Sequence, residues 1–309
     1  MDKLLHLSAS PHIHSGRSTM SVMRDVLIAL IPTSVAGVVI FGLRSLLVLL
    51  SCVAFCVAFE ALFNVIAKKE QTIGDLSAAV TGLLLGLNLP ANVPVWQCAV
   101  GCLFAIVLVK CLFGGIGCNL VNPAITARVF MIVSFGSMAT QAFPTIVDTA
   151  STATPLAEIA EGTTPAISSL LLGTTGGAIG ETCAVALIVG GIYLIARRII
   201  TWHIPVTFIG SVFVLSLFME KFDVITALAA VLSGGLIIAA FFMATDYVTS
   251  PCTAKGKIIF GLGAGLITFM IRYFGVYPEG VSFAVLLMNI LNPYIDKLTA
   301  NKIFGGNKA

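Results

Sequence analysis

Charged residues are scarce in this sequence, and their scarcity excludes most classes of soluble protein. Lys, Arg, Asp and Glu make up 10% of the 309 residues, whereas 58% are hydrophobic. One water-facing core cannot cover so many apolar side chains, so the composition predicts a polytopic membrane protein. The net charge of only +3 does not indicate a nucleic-acid partner.

Metal-binding and redox motifs are missing as well. The eight cysteines form no C-x-x-C and no C-x-x-C-H pattern, so neither a zinc ribbon, a thioredoxin motif nor a haem attachment site is indicated. Cys52 and Cys56 are four residues apart in an apolar run, as are Cys98 and Cys102. We interpret these four as small buried hydrophobic residues, with metal ligation as the less favoured alternative. No metal site is therefore predicted.

Long apolar runs are abundant. Ten of them are long enough, or nearly long enough, to span a bilayer, and they cover residues 24–43, 45–67, 75–89, 94–113, 121–139, 181–199, 204–219, 223–245, 257–274 and 280–295. The sequence therefore predicts an all-α polytopic membrane protein of about ten transmembrane helices in two five-helix halves. The predicted parts are an N-terminal segment (1–23), helices 1–5 (24–139), a loop (140–180), helices 6–10 (181–295) and a tail (296–309).

Lys and Arg are unevenly distributed between the two sides of this bundle. With the N-terminus inside, 13 of the 17 fall on the cytoplasmic side and three outside, and Arg128 lies within helix 5. An excess of cationic residues marks the cytoplasmic side. Both termini are then predicted to be cytoplasmic, and the 140–180 loop, which contains no Lys or Arg, is predicted to lie outside.

The two halves show signs of a repeat. Five helices in each half would turn one half upside down relative to the other. Helices 3 and 8 both contain glycines, including Gly82 and Gly234, and both end in a polar connection that contains proline. Such segments in corresponding positions point to a binding site or pathway at the membrane centre. Inverted repeats are one interpretation, and the general abundance of glycine in membrane helices is the other.

Few ionisable groups fall near the membrane. An uncompensated charge at the bilayer centre costs about 2.5–3.5 kcal/mol even on insertion scales. Glu60, near the inner end of helix 2, is a candidate for binding or relaying a cation; the alternative is that Lys68 or Arg128 neutralises it. Asp246 ends helix 8, where a carboxylate opposes the helix dipole and requires a compensating partner.

Two asparagines open helix 5 on the same cytoplasmic side. Asn122 precedes Pro123, which is the pattern of an ordinary helix N-cap with proline at the first helical position. Alternatively, Asn119, Asn122 and Asp246 together hydrogen-bond the polar edge of a flat aromatic cofactor at the inner surface.

The outer loop contains the most specific motif. Residues Asp148-x-x-Ser151-Thr152-Ala153-Thr154 resemble the D-x-x-[ST]-G-A-T sequence at which a flavin transferase esterifies the terminal phosphate of FMN to the last threonine. Thr152 stands in place of the usual glycine, which places a further hydroxyl beside the expected acceptor.

Other segments extend this resemblance along nearly the whole chain. Phe113-Gly-Gly-Ile-Gly, Gly176-Gly-Ala-Ile-Gly-Glu181 and Met243-Ala-Thr-Asp-Tyr-Val-Thr-Ser-Pro251 are similar to blocks of one family. That family is formed by the RnfD proteins of Rnf complexes and, more distantly, by the NqrB proteins of the sodium-pumping NADH:quinone reductase. Tyr247 stands where the family often has proline.

The resemblance implies two flavins. A covalent FMN would be attached to Thr154 outside the membrane by a flavin transferase, with Asp148, Ser151 and Ala153 in its recognition sequence. A non-covalent riboflavin would bind near the inner surface, and by resemblance we assign to it Asn119, Asn122 and Asp246.

The resemblance also implies a partner complex and a location. The chain would be a multi-pass component of the bacterial inner membrane, assembled with RnfA, RnfB, RnfC, RnfE and RnfG proteins and not catalytic alone. Electrons would pass between reduced ferredoxin and NAD⁺, coupled to Na⁺ or H⁺ translocation. The simplest ion path would use Gly82 and Gly234, with Glu60 as a further candidate. The alternatives are a channel or secondary transporter without flavin and a purely structural scaffold protein.

Overall fold

The computed structural model describes residues 17–136, 144, 154–275 and 280–300. Within these residues, the chain folds into thirteen helices and a short 3₁₀ turn at Ile73–Asp75, which confirms the predicted all-α class. The helices are α1 (Thr19–Phe41), α2 (Leu43–Ile66), α3 (Ser77–Leu87), α4 (Val95–Cys111), α5 (Pro123–Ser134), α6 (Pro155–Ala160), α7 (Ile167–Leu172), α8 (Ala184–Ala196), α9 (His203–Met219), α10 (Val224–Leu232), α11 (Leu236–Met243), α12 (Ala254–Phe274) and α13 (Val281–Thr299).

Every predicted apolar run contains a helix, but the helices differ greatly in length. Among the described residues, α1, α2 and α12 are long and apolar enough to cross a membrane. The pair α10 and α11, bent by 64°, counts as a fourth candidate span. In contrast, α3 has 11 residues and α5 has 12, and each reaches only about half the thickness of a bilayer core. The third, fifth and eighth predicted helices are thus short or broken segments.

The short helix α3 ends inside the protein, where its last carbonyl groups need donors. The backbone N–H of Gly180 donates to the Leu87 carbonyl oxygen at 2.7 Å, and that of Ile179 donates to the Leu89 carbonyl oxygen at 3.1 Å. A Cβ atom at Gly180 would lie 2.8 Å from the Leu87 Cβ atom. The turn before α8 therefore closes the end of α3, and glycine is needed for this close approach.

Glycines bring several helices into close contact. A Cβ atom at Gly190 in α8 would lie 2.2 Å from the Ala29 carbonyl oxygen in α1. A Cβ atom at Gly82 in α3 would lie 2.7 Å from the Cys52 carbonyl oxygen in α2. Small residues at such positions allow membrane helices to approach one another closely.

The two halves of the bundle share a pattern of neighbours. In the first half, α2 packs against both α3 and α4, and in the second half α9 packs against both α10 and α12. The first helices of the two halves, α1 and α8, pack against each other. This is the arrangement that a repeat predicts, with α10 and α11 together as the counterpart of α3.

Candidate functional site

Thr154 lies at the start of a short helix. It is the N-cap residue of α6, and its Oγ1 atom accepts a hydrogen bond from the Ala157 backbone N–H at 3.3 Å. Pro155 follows at the first helical position, where its fixed φ angle favours the helix and its missing N–H leaves no donor unsatisfied. The predicted acceptor hydroxyl is therefore held by its own helix. Asp148, Ser151 and Ala153 lie outside the described residues.

A cavity adjoins Thr154 and brings distant parts of the chain together. It is lined by Thr154, Gly176, Gly177, Glu181 and Gly234, together with Pro155, Leu156, Leu170, Thr175, Thr182, Leu232 and Ser233. We call it the outer cavity, after the predicted side of the membrane. The structure thus places the predicted flavin acceptor beside one of the two glycines predicted for the ion path.

Gly234 forms the break between α10 and α11. Its φ angle of 67° lies in the left-handed region, which only glycine adopts without strain. Arg272 of α12 donates from Nη1 to the Ala230 carbonyl oxygen at 2.6 Å and from Nη2 to the Ser233 carbonyl oxygen at 3.0 Å. A cation at these carbonyl groups compensates the negative end of α10, so the break is a stabilised feature of the fold.

A second, larger cavity lies at the other end of α11. Its volume is about 340 Å³, which is within the range of small-molecule and cofactor sites. Asn119, Asn122 and Asp246, the three residues predicted to contact a flat cofactor, all line it. Most of the other lining groups are apolar. The helices α1, α3, α5 and α11 contribute about half of the lining, and the connections between helices contribute most of the rest. We call it the inner cavity.

The three predicted residues present different groups to the inner cavity. The Asn122 Oδ1 atom accepts from the backbone N–H groups of Ala124 at 3.0 Å and Ile125 at 3.3 Å, and Nδ2 donates to the Met243 carbonyl oxygen at 3.3 Å. The N-cap interpretation of Asn122 is therefore confirmed. In contrast, the Asn119 Oδ1 atom is buried and has no hydrogen-bond partner among the described residues, which leaves it available to a ligand.

Asp246 is compensated by hydrogen-bond donors. Its Oδ2 atom accepts from the Thr249 Oγ1 hydroxyl at 3.3 Å. Burial raises the pKa of its carboxyl group, and backbone N–H groups of Val248 and Tyr247 oppose that rise. The Asp246 carboxylate therefore has the compensating partners that its position at a helix end requires, and these are hydroxyl and backbone amide groups.

Glu60 forms a buried ion pair, but with a different cation from those that the sequence suggested. Its Oε1 atom accepts from Lys110 Nζ at 2.8 Å and from Thr72 Oγ1 at 2.7 Å. Lys110 Nζ also donates to Ser77 Oγ at 2.6 Å. The alternative that Lys68 or Arg128 neutralises Glu60 is wrong, because Lys110 reaches it from α4. Lys110 and Ser77 also line the inner cavity.

Arg128 instead pairs with Glu181, a partner that the sequence did not suggest. Arg128 Nη2 donates to Glu181 Oε1 at 2.6 Å, and Nη1 donates to Asn88 Oδ1. One signal is present in the sequence: Arg128 is the single Lys or Arg that the charge count assigns to neither side of the membrane, and a buried cation calls for a carboxylate.

Gly82 lies in a helix contact. It faces the backbone of Cys52 and Val53 in α2, and it lines neither the outer nor the inner cavity. The two glycines predicted for one path are therefore in different surroundings.

Comparison with known proteins identifies the family of this chain. The model of the NQR2, RnfD, RnfE family matches residues 6–305. The D subunit of the Na⁺-translocating ferredoxin:NAD⁺ oxidoreductase complex of Acetobacterium woodii is 44% identical, over 98% of this chain and 96% of its own length. The D subunit of the proton-translocating ferredoxin:NAD⁺ oxidoreductase complex of Clostridium ljungdahlii is 40% identical, over 97% and 96%. The D subunit of the ion-translocating oxidoreductase complex of Marinobacter nauticus is 36% identical, over 97% and 95%.

Proposed function

The chain belongs to the NQR2, RnfD, RnfE family, and from this premise we propose that it is the flavin-carrying membrane subunit of an ion-translocating ferredoxin:NAD⁺ oxidoreductase complex. Its relatives are named as subunits of such complexes, with either Na⁺ or protons as the translocated ion. The transported ion is accordingly Na⁺ or H⁺. No NAD-binding or iron–sulfur motif is recognisable in the sequence, so other subunits would supply those functions.

The observation that carries this proposal is the pair of cavities at the two ends of α11. The outer cavity adjoins Thr154, the residue that resembles a covalent FMN acceptor. The inner cavity is lined by Asn119, Asn122 and Asp246, which come from separate stretches of the chain. Two flavins held at these positions would let electrons cross the membrane through one subunit.

The outer site fits a flavin phosphate in its chemistry. Thr154 offers a hydroxyl for the phosphoester. Arg272 approaches Gly234, which lines the same cavity, and its Nη2 atom lies 3.2 Å from where a Cβ atom at Gly234 would be. A cation near a phosphodiester anion lowers its electrostatic cost. FMN bound there would supply the redox chemistry, while the protein supplies its position and surroundings.

The inner site fits a neutral ring system. Its lining is largely apolar, and the buried Asn119 Oδ1 atom lacks a partner among the described residues. An unpaired buried acceptor costs free energy until a donor reaches it. A riboflavin N–H group would satisfy Asn119, while Asn122 continues to cap α5.

The first experiment tests the covalent flavin. The complete complex is produced with a flavin transferase, and the intact mass of this subunit is compared for the native chain, Thr154→Ala and Thr154→Asn. Asparagine is a good N-cap but has no hydroxyl, so Thr154→Asn keeps α6 while removing the acceptor. We expect an FMN-sized mass increment in the native chain alone.

The other outcomes of this experiment are informative. An increment that persists in both variants would identify a neighbouring hydroxyl, such as Thr152, as the acceptor. No increment in any sample would contradict the flavin proposal and favour a channel or transporter without flavin. An increment lost only in Thr154→Ala would show that α6, rather than the hydroxyl, is required.

The same preparations test the inner site. Acid precipitation releases non-covalent flavin, which is measured against total protein. Asn119→Leu should lower this fraction and leave the covalent increment unchanged. Cys118→Ser is the matched control, since Cys118 is adjacent and exposed and does not line the inner cavity. Equal non-covalent flavin in both variants would exclude Asn119 from the site.

A further inference from the structure

A chain of buried polar groups runs from the outer cavity to the end of α3. Glu181 lines the outer cavity and accepts from Arg128, which also donates to Asn88 Oδ1. Asn88 Nδ2 in turn donates to the Leu84 carbonyl oxygen at 2.7 Å, and Leu84 lines the inner cavity. Asn88, Arg128 and Glu181 are 3%, 4% and 5% exposed, so this chain is enclosed by protein over its whole length.

Three interruptions of the helices meet at this chain. Asn88 follows the last residue of α3, and Glu181 lies in the turn before α8. Gly235 lies in the break between α10 and α11, where a Cβ atom would be 2.8 Å from Glu181 Oε1 and 3.7 Å from Arg128 Nη1. Irregular backbone at membrane depth is tolerated where it is enclosed by protein or lines a cavity, and half-helix ends are typical of ion sites in transporters.

The buried ion pair is not explained by stability alone. Burying two charges costs several kcal/mol for each, and their attraction often only offsets that cost. Charged side chains within the membrane are rare and mark ion pathways by default. The pair lies on the polar chain that begins at the outer cavity.

The oxygen atoms around Arg128 suit a small hard cation. Glu181 contributes a carboxylate and Asn88 an amide oxygen, and both accept from Arg128. Carboxylate and amide oxygens are ligands that hard cations prefer. We propose that Glu181 and Asn88 form the transported cation's site, which Arg128 occupies in this conformation, so that guanidinium and cation exchange on the Glu181 carboxylate. This inference rests on the proposed function, because it requires a translocated ion.

At the Glu181 carboxylate, the exchange replaces one positive charge by another. The displaced guanidinium keeps its own charge and its hydrogen bond to Asn88 Oδ1, so the buried group gains one net positive charge, which an electron on a reduced flavin would offset. A carboxylate accepts either Na⁺ or a proton, and the structure supports this shared chemistry. The experiment therefore measures both ions.

The test uses the complete complex in proteoliposomes supplied with reduced ferredoxin and NAD⁺. Uptake of radioactive Na⁺ and internal acidification are each measured per NADH formed. Glu181→Gln keeps the size of the side chain and removes its charge. We expect about a tenfold or greater loss of the transported ion per NADH formed, a ratio that does not depend on how fast the variant forms NADH.

Two further variants make the test specific. Glu161→Gln is the matched control, because Glu161 is an exposed carboxylate just beyond α6 and should couple as the native chain does. Arg128→Met leaves the carboxylate without its guanidinium, so added Na⁺ should raise its melting temperature more than that of the native complex if Na⁺ is the ion. If the complex transports protons, lowering the pH in the absence of Na⁺ should raise the melting temperature of Arg128→Met more than that of the native complex.

Several results would overturn the proposal. Native coupling in Glu181→Gln excludes Glu181 from the ion site. A purely structural role for the pair would be shown by two results together. Glu181→Gln would lose assembly or flavin, and the melting temperature of Arg128→Met would respond to Na⁺ and to pH no more than that of the native complex does. Failure of the proposed function gives a different result. If the complex has no flavin on Thr154 and Glu181→Gln still loses coupling, the proposal of a covalent FMN is wrong and the proposal of a cation site is retained.

Discussion

At the scale of single residues, Lys110 and Glu60 make a sharp prediction about stability. Their side chains are 2% and 3% exposed and are joined at 2.8 Å. Lys110→Met leaves Glu60 as an uncompensated buried charge, which should cost about 3–5 kcal/mol. The double variant Lys110→Met, Glu60→Gln should recover part of that loss, because both charges are gone.

The measurement is the unfolding of the detergent-solubilised complex, followed for this subunit. Lys255→Met is the control, since Lys255 is exposed in the first turn of α12 and its removal should leave stability nearly unchanged. The single variant Glu60→Gln is measured as well. If the loss of stability in the double variant equals the sum of the losses in Lys110→Met and Glu60→Gln, the two charges do not interact.

Sequence patterns predicted which residues line the cavities better than they predicted which side chains form ion pairs. Asn122 before proline and Asp246 at a helix end each carry a local signal, and the structure places both at the inner cavity. The pairing of Arg128 with Glu181 joins residues 53 positions apart, and no local spacing encodes it. A buried charge requires a partner, but which partner it finds depends on how the helices pack.

At the scale of helices, Gly82 tests a packing role against a role in the ion path. Gly82→Ala would place a Cβ atom 2.7 Å from the Cys52 carbonyl oxygen, so α2 and α3 must separate and the melting temperature should fall. The control is Gly210→Ala in α9, where no atom lies within 4 Å of the added Cβ and helix propensity favours alanine by about 0.5–1 kcal/mol. Unchanged stability with lost ion transport in Gly82→Ala would instead support the ion path.

Helix positions were predictable, whereas helix ends and breaks were only partly so. Hydropathy finds apolar segments, but it does not distinguish a crossing from a half-length helix. In the run at 121–139, which the structure describes as far as residue 136, the α-helix is α5, Pro123–Ser134. Gly234 marked the interruption of the eighth run, and the 64° bend follows from its positive φ angle together with the carbonyl groups held by Arg272, which is distant in sequence.

At the scale of the whole molecule, the predicted orientation can be tested by thiol labelling. Cys118 and Cys252 are exposed and lie in connections predicted to face the cytoplasm. A membrane-impermeant maleimide should label them in inside-out vesicles and not in right-side-out vesicles. Glu161→Cys should show the reverse preference, measured in a background with Cys183→Ser because Cys183 is half-buried on the predicted outer side.

Replacing Cys118 and Cys252 by serine provides the control for background labelling. Labelling of these two cysteines from the outside would contradict the distribution of Lys and Arg as a guide to orientation. It would also exchange the sides of the two cavities, because the loop before α6 would then face the cytoplasm.

The all-α class was predictable from the number and length of the apolar runs, and the division into two five-helix halves stays a prediction. The equivalent neighbours in the two halves, α2 with α3 and α4, and α9 with α10 and α12, agree with a repeat. The cavities were not predictable as volumes, because each is built from segments that are distant in sequence. Helices of both halves line the inner cavity, and residues from 154–182 and 232–234 line the outer cavity. Sequence resemblance supplied the flavins, and the structure supplies the surroundings in which they are proposed to bind.

The shortness of α11 has an electrostatic consequence. Its eight residues separate the two cavities by about 12 Å. At an effective dielectric constant of about 20, an elementary charge at one end changes the free energy of a second charge at the other by about 1.4 kcal/mol. That amount corresponds to about a tenfold change in affinity. An electron that arrives at one end of α11 would therefore alter cation binding at the other end without any movement of the backbone.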